Sequence, residues 1–190
     1  MDKYQVIFYQ LTRPVSYLLL KHPAGKVYNW IVPMLFALVS IFCLYVGVGI
    51  EGIVGVNGLI AQVSDFVVSL PGFFIAALAA IATFNRPVID QEMINAPTID
   101  IKVDQATLSD QPLTRRDFLL RLFSFLTVES IFLTIYAKVG SLVSVPQFLD
   151  TSLQVVDWIY VSIYLVFFWQ LIILLLFGMY YLCERLNLNL

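Results

Sequence analysis

Four apolar runs, Trp30 to Ile50, Phe66 to Phe84, Phe118 to Tyr136 and Trp158 to Leu182, dictate the solvent in which this chain folds. A hydrocarbon core about 30 Å thick takes roughly 20 helical residues to cross, at about 1.5 Å of rise each. Lipid offers the backbone no hydrogen-bond partner, so such runs are expected to form helices. Composition agrees: 60% of residues are apolar and 13% charged, against about 25% charged in a soluble domain. The second run is the least regular, because Pro71 and Gly72 fall near its start and Gly52 to Asp65 before it is apolar but glycine-rich. A bent or re-entrant entry is expected there.

Orientation follows from the cations, since lysines and arginines flanking short spans stay on the cytoplasmic side. Of 11 such residues, all but Lys138 fall on one side of a four-span chain. Lys3, Arg13, Lys21 and Lys26 precede the first span, Arg86, Lys102, Arg115, Arg116 and Arg121 surround the central segment, and Arg185 follows the last span. The outer connections instead hold Glu51, Asp65, Asp150 and Asp157. Dropping any span would scatter the cations over both faces. No stretch joins a basic start, a short apolar core and a small-residue cleavage site, so a removable signal peptide is not expected.

The expected fold is an all-α membrane protein, a four-transmembrane-helix bundle with an N-terminal amphipathic helix and a small cytoplasmic β-containing segment between helices 2 and 3. Residues 1–29 form the cytoplasmic or interfacial segment, 30–84 the first two spans, 85–117 the cytoplasmic segment, 118–182 the last two spans and 183–190 a cytoplasmic tail. In Tyr4 to Leu20, Val6, Ile7, Leu11, Leu18 and Leu19 mix with Lys3, Gln5, Gln10 and Arg13. That pattern suits a helix lying in the headgroup boundary or one packed along the ends of its own bundle, with Pro14 breaking or kinking it. Between Arg86 and Thr114, Pro87, Pro97 and Pro112 cut the chain into short pieces. Within it Ile99, Ile101 and Val103 alternate with Asp100, Lys102 and Asp104, the period of a half-buried strand over 99–103. One strand needs a mate, from Val88 to Asn95, from another subunit or from a separate partner. Ile99 to Asp104 is therefore the candidate docking segment.

Few residues carry chemistry. Glu129 sits near the middle of the third run, where insertion scales charge an acid about 2.5–3.5 kcal/mol. Gln170, at similar depth in the fourth run, is its expected partner, either in a buried interhelical contact or beside an ion or proton path. Gly72, Ala76 and Ala80 recur every four residues, a small-residue stripe expected to pack against another helix within or between subunits. Arg121 is expected to snorkel and to pair with Asp117; Thr114 and Asp117 read as a helix start. Cys43, Cys183 and the lone His22 lack metal-site spacing, no phosphate-binding glycine loop or catalytic triad is visible, and no basic stripe suits nucleic acid. No enzyme activity, cofactor or metal is expected.

The central segment opens Phe84-Asn85-Arg86-Pro87-Val88-Ile89-Asp90-Gln91 and closes Leu113-Thr114-Arg115-Arg116-Asp117-Phe118. With these strings and four spans, the chain resembles the KwaA family, the membrane subunits of the bacterial Kiwa anti-phage systems. The resemblance implies a homo-oligomer in the bacterial inner membrane, which senses phage attack and acts with KwaB, a cytoplasmic DNA-binding effector; a tetramer is the working number, which does not come from the resemblance. It carries over no functional residue. Two functions stay open: a sensor or scaffold that recruits a cytoplasmic protein, and an oligomeric channel or pore polarised by Glu129. A small multidrug exporter fits less well, since those chains are shorter and carry their acid in the first span.

Overall fold

Pro14 sets the first structural event, because it lacks an N–H and its ring opposes a continuing α-helix. In the computed structural model, which describes residues 3–21, 25–54, 57–83, 85, 87–92, 97–103, 106–142 and 152–185, helix α1 (Lys3–Thr12) tightens at this point into a 3-10 helix, Arg13–Leu19. The expected amphipathic segment thereby divides. Ser16 and Tyr17 of the 3-10 part are buried, whereas Tyr4, Ile7 and Leu11 of α1 are exposed.

A π-helical turn at Val27–Ile31 leads into α2 (Val32–Gly47), followed by the short α3 (Gly49–Ile53). Helices α4 (Leu59–Val67) and α5 (Leu70–Thr83) make the second long element. They meet at a tightened turn in which Ser69 N donates to Phe66 O at 3.2 Å. Pro71 accounts for the break, since it withholds the N–H that a continuous helix would direct to Val67. Leu59–Val67 is thus a helical entry bent against α5, and the second span starts at Leu59 rather than Phe66. Helix α6 (Arg115–Leu142) and helix α7 (Ser152–Tyr180), closed by a π turn at Tyr181–Arg185, complete the set. The chain has four helices long and apolar enough to cross a membrane, Val27–Gly47, Leu59–Thr83, Arg115–Gly140 and Val155–Cys183, each of at least 21 residues where about 20 suffice.

Neighbouring spans run antiparallel, as the ring contacts fix. Tyr28, Phe36 and Tyr45 along α2 and the turn before it meet Phe177, Trp169 and Trp158 in reverse order on the fourth span. Phe118, Phe132 and Tyr136 of α6 likewise meet Phe177, Phe167 and Tyr160. Helix α6 is central, touching α4, α5, α7 and the 3-10 helix. Its Leu119, Leu122, Leu126 and Leu133 are fully buried at the three-and-four spacing of a core-facing stripe. Gly178 lets α7 come close here: a Cβ at that position would lie 3.1 Å from Leu122 Cδ2. Helix α2 rests on α7 and leaves Leu35, Leu38, Phe42 and Val46 exposed.

The small-residue stripe points elsewhere than into this core. Helix α5 buries Leu70, Phe74 and Ile81, while Gly72, Ala76 and Ala80 are exposed and a Cβ on Gly72 would meet nothing within 4 Å. The stripe thus stays on the exposed face of α5, because the larger residues on the opposite face bury more apolar area.

Between α5 and α6, a 3-10 turn (Pro87–Asp90) precedes β1 (Thr98–Val103), which pairs antiparallel with β2 (Ala106–Pro112). The register matches Thr98 with Pro112 and Val103 with Ala106, with an irregularity between Ile99 and Ile101. The mate of β1 therefore follows it in sequence, whereas Val88 to Asn95, another subunit or a separate partner were the expected sources; Val88 to Asp90 is taken up in the 3-10 turn, and residues 93–96 lie outside the described chain. A local two-strand pairing closes a shorter loop and costs less chain entropy.

Candidate functional site

The two sequence strings that flank the central segment are brought together at one end of the bundle. Arg116, one residue into α6, donates from Nε to Asp90 Oδ1 at 2.7 Å and from Nη2 to Asp90 Oδ2 at 3.1 Å. Its Nη1 donates to the carbonyls of Ile81 at 2.7 Å and Ala82 at 3.1 Å, the last turn of α5. One guanidinium thus forks onto a carboxylate and also satisfies carbonyls that a helix end leaves without partners. Backbone bonds add to the clasp: Arg115 N donates to Gln91 O at 3.2 Å and Leu113 N to Pro97 O at 3.3 Å. Thr114 and Asp117 close the start of α6 reciprocally, the hydroxyl donating to Asp117 Oδ2 at 2.9 Å and accepting from Asp117 N at 3.1 Å.

The bond from Arg116 holds the Asp90 carboxyl below the usual carboxylate range. A lowered folded value means that the clasp contributes above about pH 3.9, the ordinary Asp pKa, and is lost as pH falls through the folded value. Asp90→Asn is accordingly expected to speed amide exchange at Arg115, whose N–H donates to Gln91 O, at neutral pH, and the two proteins are expected to converge in acid. Identical exchange at pH 7 would contradict this role for the pair.

A second tether joins the hairpin to the N-terminal segment. Lys21 N donates to Thr98 O at 3.0 Å and Thr98 N to Lys21 O at 3.3 Å. Beneath them Tyr17 stacks on Phe125 with ring centroids 5.6 Å apart and tilts against Phe118 at 6.1 Å, and its hydroxyl donates to Asn29 Oδ1 at 3.2 Å. Burial, and then the nearby Glu129, push the Tyr17 hydroxyl above its ordinary pKa. Tyr17, Tyr28, Phe118, Phe177, Tyr181 and Pro97 line a cavity of about 30 Å3, room for a water molecule or two.

Deeper in the bundle, the polar residues stand without partners. Glu129 is 4% exposed and Gln170 1%, and neither carboxylate oxygen nor either amide atom has a hydrogen bond among the described residues. The expected Glu129–Gln170 bond is absent. The reverse ring order of α6 and α7 sets the two residues within about a helical turn in depth, yet they do not meet; α6 fills its interface with leucine and phenylalanine instead. Ser64 Oγ on α4 and Tyr164 OH on α7 are also buried and unpartnered. These four lie on the three helices α4, α6 and α7.

At the far end Lys138 donates to Asp65 Oδ1 at 3.1 Å. Lys138, the cation that the four-span sorting leaves on the other side, is thus paired with an acid of the adjoining span. Among the candidate docking residues, Ile99, Asp100, Ile101, Lys102 and Val103 lie in β1, and Asp104 lies outside the described residues. Sequence reading missed Arg116 and Tyr17. Arg116 looked like one more topogenic cation, and an aromatic in a polar flank reads as an interfacial anchor. Among the described residues no group of three His, Cys, Asp or Glu side chains could hold a metal ion.

Compared with family models, curated proteins and solved structures, the chain matches none. The class that the fold defines is a multi-pass helical protein with four antiparallel apolar helices.

Proposed function

We propose that the chain is a non-enzymatic scaffold or sensor subunit of the bacterial inner membrane, with both termini cytoplasmic, whose segment between α5 and α6 recruits a cytosolic effector. The supporting observation is the double root of that segment: Arg116 ties Asp90 to the end of α5, and Lys21 ties Thr98 to the 3-10 helix on α6. A load on the hairpin would pass directly into three elements of the bundle. Among the described residues the outer edge of β1 is paired only at Thr98, and an edge strand is a ready template for an added strand. The strings that carry the resemblance to the KwaA family are the ones this clasp joins, so an effector like KwaB and a role in anti-phage defence are the favoured reading. The exposed Gly72, Ala76 and Ala80 stripe is the proposed contact between copies in a homo-oligomer, with a tetramer as the working number.

Purification in mild detergent from the source cells tests both parts. Replacing Asp100, Lys102 and Asp104 together by alanine is expected to strip the co-eluting effector at least tenfold while leaving the particle mass of the membrane subunit unchanged. Full retention of the effector would refute docking at this segment; a monomeric mass for the parent protein would refute the oligomer.

A second reading, an ion or proton path through the bundle, draws on the four unpartnered groups Ser64, Tyr164, Glu129 and Gln170. Its signature is conductance of reconstituted vesicles that falls in Glu129→Gln.

A further inference from the structure

A groove of about 340 Å3 opens where the 3-10 helix crosses α6. Its polar walls are Gln10, Arg13, Ser16, Asp117, Arg121 and Ser124, over a floor of Pro14 and Leu120. The volume falls within the roughly 300–1,000 Å3 of small-molecule sites. Two guanidiniums from elements far apart in sequence face this one concavity, and both are half-buried. Arg121 is positioned rather than loose, since its Nη1 donates to Ser16 Oγ at 2.8 Å. Like charges converging at a membrane-proximal groove favour an anionic occupant, and arginine presents the planar donor fork that phosphate oxygens accept. Asp117 is the one acid among the described residues of the wall, so two guanidiniums against one carboxylate leave these side chains net positive.

The groove also continues into an exposed apolar stripe. From Ser124 the same face of α6 carries Val128, Ile131 and Ile135, at steps of four, three and four residues, and all three are exposed. An apolar stripe running from a cationic groove toward the bundle middle fits a headgroup with its chain attached. Free phosphate would leave that stripe unused.

We propose that this groove seats the phosphate of an anionic membrane lipid, whose acyl chain lies along Val128, Ile131 and Ile135. The site stands apart from the docking segment and holds whether or not an effector binds there. It gives the N-terminal segment a reason to sit on α6: the lipid bridges Arg13 to Arg121 and so pins the 3-10 helix, whose far end carries the Lys21–Thr98 tether to the hairpin.

The test is thermal unfolding of the full chain in mild detergent, titrated with short-chain phosphatidylglycerol, phosphatidylcholine or inorganic phosphate. Phosphatidylglycerol is expected to stabilise the protein, with its apparent affinity about fivefold weaker in Arg13→Gln or Arg121→Gln and roughly 25-fold weaker in the double variant. Ser124→Phe keeps both charges and fills the groove, and is expected to abolish the effect. Should Arg121→Gln fail to fold once its bond to Ser16 is gone, Arg13→Gln and Ser124→Phe decide alone. Unchanged phosphatidylglycerol affinity in those two variants overturns the proposal. Phosphate or phosphatidylcholine binding as tightly as phosphatidylglycerol, with the same arginine dependence, overturns the assignment to an anionic lipid in favour of a soluble phosphate or a non-selective headgroup.

Discussion

Glu129→Leu is expected to unfold at a higher temperature than the parent protein, and Glu129→Lys to lose the folded bundle. The carboxyl is 4% exposed, has no hydrogen bond among the described residues, and shares its stripe of α6 with buried Phe125, Leu126 and Leu133. Leaving a polar group buried without a partner costs about 1–3 kcal/mol. Leucine removes that cost, nearly conserves volume and adds packing with its neighbours. A gain of about 2 kcal/mol would raise the midpoint by several degrees in a chain of this size. Lysine keeps the unpartnered polarity, adds length and brings a charge that membrane interiors penalise by about 2.5–3.5 kcal/mol. Thermal unfolding of the three proteins in one detergent measures both effects. The same samples separate the two functional readings. A stabilised Glu129→Leu protein that still recruits its effector leaves the acid without a role in docking, whereas one that loses vesicle conductance marks the acid as a strained group retained for transport. A less stable Glu129→Leu protein would mean that the carboxyl is engaged after all.

The sequence showed some levels of this organisation and hid others, for physical reasons. Span number and approximate limits were legible because the bilayer imposes a length, and the sorting of cations around Lys138 was legible because charge placement has a sign. The helix start at Thr114 and Asp117 and the break at Pro14 were equally visible, since both are local. Contacts between distant segments were not. Nothing in the order of residues says that Arg116 reaches back 26 positions to Asp90, or that Arg121 bonds Ser16 across 105 positions. The pairing of Glu129 with Gln170 was inferred from depth alone; depth fixes height along the bundle but not the rotation of each helix. The same ambiguity applied to Gly72, Ala76 and Ala80: spacing identified a face, and only packing could tell that Phe74 and Ile81 on another face had taken the core. The mate of β1 stayed open between Val88 to Asn95, another subunit and a separate partner, because Ala106–Pro112 lacks the clean alternation that marks a strand.

Gly140→Ala is expected to destabilise the bundle despite placing a better helix former in α6. A Cβ there would run into the Tyr160 ring at Cε2, Cζ and the hydroxyl. That ring has little room to retreat, because it stacks on Tyr136 with centroids 4.8 Å apart and planes 14° from parallel. The hydroxyls reach across as well: Tyr160 donates to Ala137 O at 3.4 Å and Tyr136 to Tyr160 O at 3.4 Å. Overpacking of this kind costs about 1–3 kcal/mol, more than the roughly 1 kcal/mol that alanine gains over glycine in a helix interior. The sign should reverse once the ring is removed. In a Tyr160→Ala background Gly140→Ala is expected to be neutral or stabilising, and the double-mutant cycle should return a coupling of about 1–3 kcal/mol. Gly47→Ala serves as the reference, since its Cβ would meet nothing within 4 Å. If Gly140→Ala behaved like Gly47→Ala in both backgrounds, the close approach of α6 and α7 at this end would be wrong. With it would go the antiparallel register that places Glu129 and Gln170 at one depth.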